Sequence, residues 1–141
     1  MTEYLDFAKA NLILFIALAV IIALIIKVEI DRFTRKYKTV NTNEAVQLLN
    51  RDDTVVLDVR EDKEVSEGMI NGAKHIPLGQ LSSRISELDK YKDKPILVYC
   101  RSGHRSGAAC KQLTKAGFSD VSNLIGGIMS WESANLPIKK R

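Results

Sequence analysis

Fifteen consecutive residues, Leu12 to Ile26, read LILFIALAVIIALII and include no polar side chain, no proline and no glycine. A helix that is apolar on every side has no place on the surface of a small soluble domain; it is either buried in protein or surrounded by lipid. Seventeen uncharged residues, Ala10 to Ile26, separate Lys9 from Lys27. At about 1.5 Å per residue they make a helix of roughly 25 Å, slightly short of a hydrocarbon core of about 30 Å. A lysine at each end closes the gap by reaching to the headgroups. A cleaved secretory leader fits less well, because Glu3 and Asp6 stand against a single Lys ahead of the run and IIKVEI ends it without a small-residue cleavage site. The run is therefore read as a retained transmembrane helix over residues 10–27. A short N-terminal tail, 1–9, precedes it and a basic juxtamembrane linker, 28–38, follows.

Positive charges set the expected orientation. Lys9 stands before the span, whereas Lys27, Arg32, Arg35, Lys36 and Lys38 follow it, and basic flanks stay on the cytoplasmic side. The expectation is a single-pass protein of the inner (cell) membrane with its N-terminus outside and the rest of the chain in the cytoplasm. The lipid bilayer is then a partner through residues 10–27, and other membrane proteins are candidate partners. The stretch KVEIDRFTRKYK either lies along anionic lipid or is a solvated linker.

Several classes of function are disfavoured by composition. Two cysteines, Cys100 and Cys110, are too few for a disulfide framework and lack the paired spacing of a zinc site, so neither metal nor cofactor is expected. The formal charge of +4 is spread evenly, with six Lys/Arg against four Asp/Glu in residues 1–38 and fifteen against thirteen in the remainder. No basic face with aromatic platforms is indicated, and nucleic acid is not an expected partner.

From Thr39 onward short β-rich runs alternate with helical stretches. NEAVQLLN places Ala45, Val46, Leu48 and Leu49 on one apolar face, with Thr and Asn ahead of it to cap the free N–H groups. TVVLDV (Thr54 to Val59) and PILVYC (Pro95 to Cys100) are continuous apolar runs, which is how strands buried on both faces of a parallel sheet read. AKHIPL and VSNLI are weaker strands of the same kind; LSSRISELDKY and HRSGAACKQLTKAGF are helical, the second with Gly117 as its stop. This alternation predicts an α/β fold, a parallel sheet with helices on both faces. Ligands of such sheets bind beyond the carboxyl ends of the strands, and two of those ends carry dense polar chemistry: DVRE, Asp58 to Glu61, and CRSGHR, Cys100 to Arg105.

In CRSGHR a strand ends near Cys100 and a helix begins near His104, so the loop's backbone N–H groups form an anion-binding nest at a helix N-terminus. That setting, with guanidinium groups nearby, lowers a thiol pKa from about 8.5 towards roughly 3.5 to 7.5. Gly103 allows a positive φ and a close backbone approach. Arg101 and Arg105 are fork-shaped donors suited to an oxyanion. Arg101 stands nearer the loop mouth and is the preferred donor-binding residue; Arg105 either reaches the anion or braces the loop, with Asp58 as a candidate partner. Arg60 is read as partner of an acidic neighbour such as Glu67. Cys110, on the inner face of its helix with Leu113, is read as a core residue.

These segments resemble the rhodanese family of single-domain sulfurtransferases. CRSGHR matches C-x-x-G-x-R with Cys100, Gly103 and Arg105 in register, DVRE is similar to D-x-R, EGMINGAKHIP resembles a glycine-rich family stretch, and VSNLIGGIMSW is similar to its closing segment. The resemblance runs from about Thr39 to Pro137, with Met69 where many members have histidine. It implies a rhodanese-like domain over 39–141, a central parallel sheet flanked by helices, preceded by the single transmembrane helix. It also implies a catalytic Cys100 that takes sulfane sulfur from a small donor such as thiosulfate and passes it, as a persulfide, to a thiol or to cyanide. The expected substrate-binding residues are Arg101, Ser102, Gly103, His104 and Arg105, supported by Asp58 and Arg60; His104, as a lone loop histidine, is also readable as a surface residue. Two rivals remain. A phosphatase or arsenate reductase would resemble C-x5-R, one residue longer than the loop here, and a membrane-tethered interaction module would not need the thiol.

Overall fold

The structure is a computed structural model, and residues 1–140 are described. It divides into two compact units, Met1–Arg35 and Lys36–Arg141. The first holds α1 (Thr2–Ala10) and α2 (Leu12–Phe33). The stretch expected as a short tail is thus helical. Asn11 interrupts the two helices, its N–H donating to Phe7 O at 3.1 Å, and the rings of Phe7 and Phe15 meet edge to face at 6.5 Å. No residue of α2 is buried, and its most apolar window has a mean hydropathy of 2.9. By length and composition α2 is able to cross a membrane, and it continues beyond the apolar run as far as Phe33.

The second unit is built on five parallel strands: β1 (Lys38–Val40), β2 (Val55–Asp58), β3 (Lys74–His75), β4 (Ile96–Tyr99) and β5 (Val121–Leu124), in the order β1-β5-β4-β2-β3. The helices are α3 (Thr42–Leu49), α4 (Asp62–Ser66), α5 (Leu78–Arg84), α6 (His104–Lys115) and α7 (Gly127–Ser133), with a 3-10 helix over Ile85–Tyr91. β1 begins at Lys38, within the expected linker, because its backbone pairs with β5 from Lys38 opposite Ser122. α3 is entered through a capping box in which Asn41 accepts from Glu44 N–H and Glu44 accepts from Asn41 N–H.

Burial follows the two-residue period of the central strand. Ile96, Val98 and Cys100 belong to one apolar cluster with Ala109, Cys110 and Leu113 of α6 and Leu81 of α5. Leu97 and Tyr99 belong to a second, with Ala45 of α3 and Ile128 and Trp131 of α7. Both faces of the sheet are therefore covered, which is why β2 and β4 are written in continuous apolar residues. Cys100 faces the α6 side.

The strand order also fixes where a site lies. β2 and β4 are neighbours, with Asp58 opposite Tyr99. From β2 the chain moves to β3 on one side, and from β4 it moves to β5 on the other. The loops leaving these adjacent strand ends diverge and open a crevice between them, the switch point of an open α/β sheet.

Candidate active site

The crevice holds both polar segments. Cys100, one residue past β4, is 1 % exposed, and its loop turns into α6 at Gly103. Gly103 has φ +103°, a left-handed conformation, and a Cβ there would stand 3.3 Å from Leu124 O and 3.4 Å from Gly126 N. The turn therefore needs glycine on two counts, backbone angle and room. It bends the chain back so that Gly103 N–H donates to Cys100 Sγ at 3.1 Å. The first N–H groups of a helix have no partner within the helix, and here they collect around the sulfur. Ser106, in the first turn of α6 and fully buried, brings its Oγ to 3.3 Å from Cys100 Sγ.

Burial alone would push this thiol up. The Ser106 hydroxyl and the N–H groups of Ser106, Gly103 and Ser102 outweigh it, and the Cys100 thiol is held below its ordinary value. Cys110 shows the contrast on the next turn of the same helix, where burial without such donors, together with the nearby Cys100, pushes its thiol far up. One thiol is held down by donors around it and the other is pushed up by its packing.

Arg105 is committed to a carboxylate. Its Nη1 and Nη2 donate to Glu64 Oε2 and Oε1, both at 2.7 Å, tying the start of α6 to α4. The Arg105 hydrogen bonds, opposed by some burial, hold the Glu64 carboxyl down at about 2. The expected partner of Arg105, Asp58, is instead fully occupied by Arg60, whose Nε donates to both carboxylate oxygens at 3.1 Å and whose Nη2 donates to Oδ2 at 2.8 Å. Arg60 also donates to Gly68 O at 2.7 Å and to Glu64 O at 3.3 Å, so its charge is satisfied without Glu67, the partner expected from sequence. The physical reason is proximity along the chain: a single residue, Val59, separates Arg60 from a carboxylate already buried at the strand end. Asp58 and Arg60 thus hold α4, and α4 presents Glu64 to Arg105.

Arg101, Ser102 and His104 are exposed on the outer side of the loop. Of the three arginines near the site, Arg101 is the one with no ion pair among the described residues. It borders a cleft of about 150 Å³ shared with Arg60, Glu64, Glu67, Met129 and Glu132. The loop is backed by the β5–α7 turn: Ile128 N–H donates to Cys100 O at 2.9 Å and Met129 N–H to Arg101 O at 3.2 Å. Ile125 and Met129, 54 % and 50 % exposed, are the only large apolar side chains described as exposed in the second unit, and this turn puts both at the rim of the loop.

Two residues that contact the cysteine or its helix were not singled out from sequence, Ser106 and Glu64. Ser106 carries a readable signal, since a hydroxyl in the first turn of the helix after a cysteine loop points back at the loop. Glu64 carries none, being 41 residues from Arg105. No group of three or more His, Cys, Asp or Glu side chains suited to a metal ion is found among the described residues.

Residues 41–134 match the rhodanese-like domain, and the chain belongs to that family. It is 32% identical over 139 residues to the protein YibN of Escherichia coli strain K12, described as uncharacterised, covering 98% of this chain and 97% of that one. It is 35% identical over 97 residues to the thiosulfate sulfurtransferase GlpE of Coxiella burnetii strain RSA 331, covering 69% of this chain and 89% of that one. Among solved structures, a rhodanese-related protein from Thermoplasma volcanium superposes with a TM-score of 0.67 at 31% identity, covering 74% of this chain and 100% of that one. Relatives named as sulfurtransferases place the chain in a sulfurtransferase family.

Proposed function

We propose that the protein is a membrane-anchored sulfurtransferase that carries sulfane sulfur as a persulfide on Cys100. The observation that carries this reading is the convergence of Gly103 N–H, 3.1 Å away, and Ser106 Oγ, 3.3 Å away, on one buried sulfur. A thiolate so held attacks the outer sulfur of thiosulfate. An S–S bond forms to Sγ, the bond to the sulfonate sulfur breaks, and sulfite leaves with the electron pair. Cyanide or a thiolate then takes the outer sulfur and returns Cys100 as a thiolate. The inward N–H groups suit the outer sulfur's charge, and Arg101, with no ion pair among the described residues and at the loop mouth, suits the departing oxyanion. Arg105 serves the loop through Glu64 and acts on the donor only through the loop's shape.

The four residues between Cys100 and Arg105 support sulfur over phosphoryl chemistry, because the nest they make is smaller than a C-x5-R loop. The apolar rim of Ile125 and Met129 favours an acceptor thiol carried on an organic or protein body. The apolar composition of α2 and the basic residues that follow it support an inner-membrane anchor with the sulfur site in the cytoplasm, where a reducing compartment keeps the thiol free. The test uses the full chain in detergent with thiosulfate and cyanide. Sulfite and thiocyanate should form in equal amounts, and Cys100→Ser should form neither; full turnover by that variant rules the relay out.

A further inference from the structure

Ser106 Oγ lies between two acceptors. Cys100 Sγ is 3.3 Å away and Asn123 Oδ1 is 2.6 Å away. Ser106 is wholly buried and Asn123 is 7 % exposed, in the middle of a strand otherwise committed to the core. The Asn123 amide is oriented by its far end, where Nδ2 donates to Gly103 O at 3.1 Å. Flipping it would set its oxygen against that carbonyl, acceptor against acceptor. A serine hydroxyl has one proton to donate, so it cannot serve the sulfur and the amide oxygen together at full strength.

We propose that Ser106 and Asn123 form a hydroxyl switch for Cys100, the Ser106 O–H pointing at Asn123 Oδ1 when the sulfur is uncharged and turning to the sulfur when it is a thiolate. In the thiol, the S–H donates to Ser106 Oγ and the Ser106 O–H donates to Asn123. When the thiol proton leaves for solvent, the Ser106 O–H rotates about its C–O bond. The hydrogen bond to Asn123 is broken and one to Sγ is formed, with no proton exchanged between the residues. Bonds to an ionised acceptor are the stronger, so the exchange favours the thiolate, but by less than an unencumbered hydroxyl would.

For the turnover steps this rests on the sulfur relay above. When Sγ bonds the incoming sulfur it becomes uncharged, and the hydroxyl returns to Asn123. When the acceptor removes that sulfur, Cys100 leaves as a thiolate and the hydroxyl turns to it again. Both are positioning residues, with opposite effects: Ser106 promotes the charge on Cys100 and Asn123 restrains it.

The opposition of sign is the test. Full-length protein in detergent is alkylated with iodoacetamide across a pH series, and modification of Cys100 is followed by mass spectrometry to give the thiol's midpoint. Ser106→Ala should raise the midpoint by about one to two pH units, and Ser106→Thr, which keeps the hydroxyl, should restore it. Asn123→Ala should lower it by about half a unit. If Asn123→Ala does not fold, Asn123→Ser, too short to reach the hydroxyl, carries the same expectation. A role limited to holding the loop through Gly103 O would move both alanine variants upward. That result, or an unshifted Ser106→Ala, overturns the switch. Alkylation needs no sulfur donor, so this outcome is separate from success or failure of the sulfur relay.

Discussion

Arg105 and Glu64 are joined by two parallel hydrogen bonds of 2.7 Å, and this pair fastens the first turn of the cysteine helix to the short helix that follows the neighbouring strand. The arginine that the loop motif draws to the eye as an anion binder has both terminal nitrogens on this carboxylate. The geometry of the cysteine loop therefore depends on a residue of a different helix, α4.

That dependence has a pH signature. The Glu64 carboxyl is lowered from 4.5 to about 2, first by hydrogen bonding from Arg105. A carboxyl depressed in the folded state adds stability that is complete above its unfolded value and is lost as pH falls through the folded one. Glu64→Gln should cost about 1 to 2 kcal/mol at neutral pH. Its urea midpoint should then converge on that of the unmodified protein as pH falls from 4.5 towards 2. A gap that stays constant across that range would assign the loss to packing and not to charge.

Asp58 and Arg60 behave differently because both are buried, at 0 % and 4 % exposure. Removing the carboxylate leaves a guanidinium in the core with only carbonyl partners, and breaking such a pair costs about 3 to 5 kcal/mol. Asp58→Ala should lower the thermal midpoint of the second unit by more than Glu64→Gln does. The reverse ranking in calorimetry would contradict the role given to this pair.

Much of the fold is legible in the sequence. TVVLDV and PILVYC announce β2 and β4 because strands buried on both faces admit almost nothing but apolar residues. The edge strands are harder: β1 has three residues and β3 two. Each is defined by its partner and not by its own pattern, β1 by β5 and β3 by β2. α4, at five residues, is too short for helical periodicity to register. Within the site, Cys100 and Gly103 are local features and readable, and Arg60 finds its carboxylate two positions back in the chain, whereas the partner of Arg105 depends on which strand ends lie side by side. Asn123 is an intermediate case, since a polar residue inside VSNLI already conflicts with a buried strand and so marks a position held for some other reason.

Gly127 is a second backbone constraint on the cysteine loop. It has φ +55°, and a Cβ there would collide with the carbonyl oxygens of Cys100 and Arg101. Those two carbonyls must move if Gly127→Ala is to fold, which takes the N–H groups of the loop out of line with the sulfur. Alkylation of Cys100 at neutral pH should slow by about tenfold or more, matching a rise of about one unit in the thiol pKa. Unchanged alkylation would mean that the loop holds its shape without the β5–α7 turn behind it.

The membrane reading is tested on α2. Full-length protein should stay with the membrane through alkaline carbonate extraction, and a reporter fused at the C-terminus should be active only in the cytoplasm. Release by carbonate, or a reporter active outside, would contradict the anchor or its orientation.

In the proposed relay one sulfur atom rides on Cys100. Intact and peptide mass spectrometry of the full-length protein after thiosulfate treatment and removal of excess donor reads this directly. One added sulfur is expected on the peptide containing Cys100, absent in Cys100→Ser and discharged by cyanide. Sulfur on Cys110, or none on either cysteine while turnover proceeds, would contradict it.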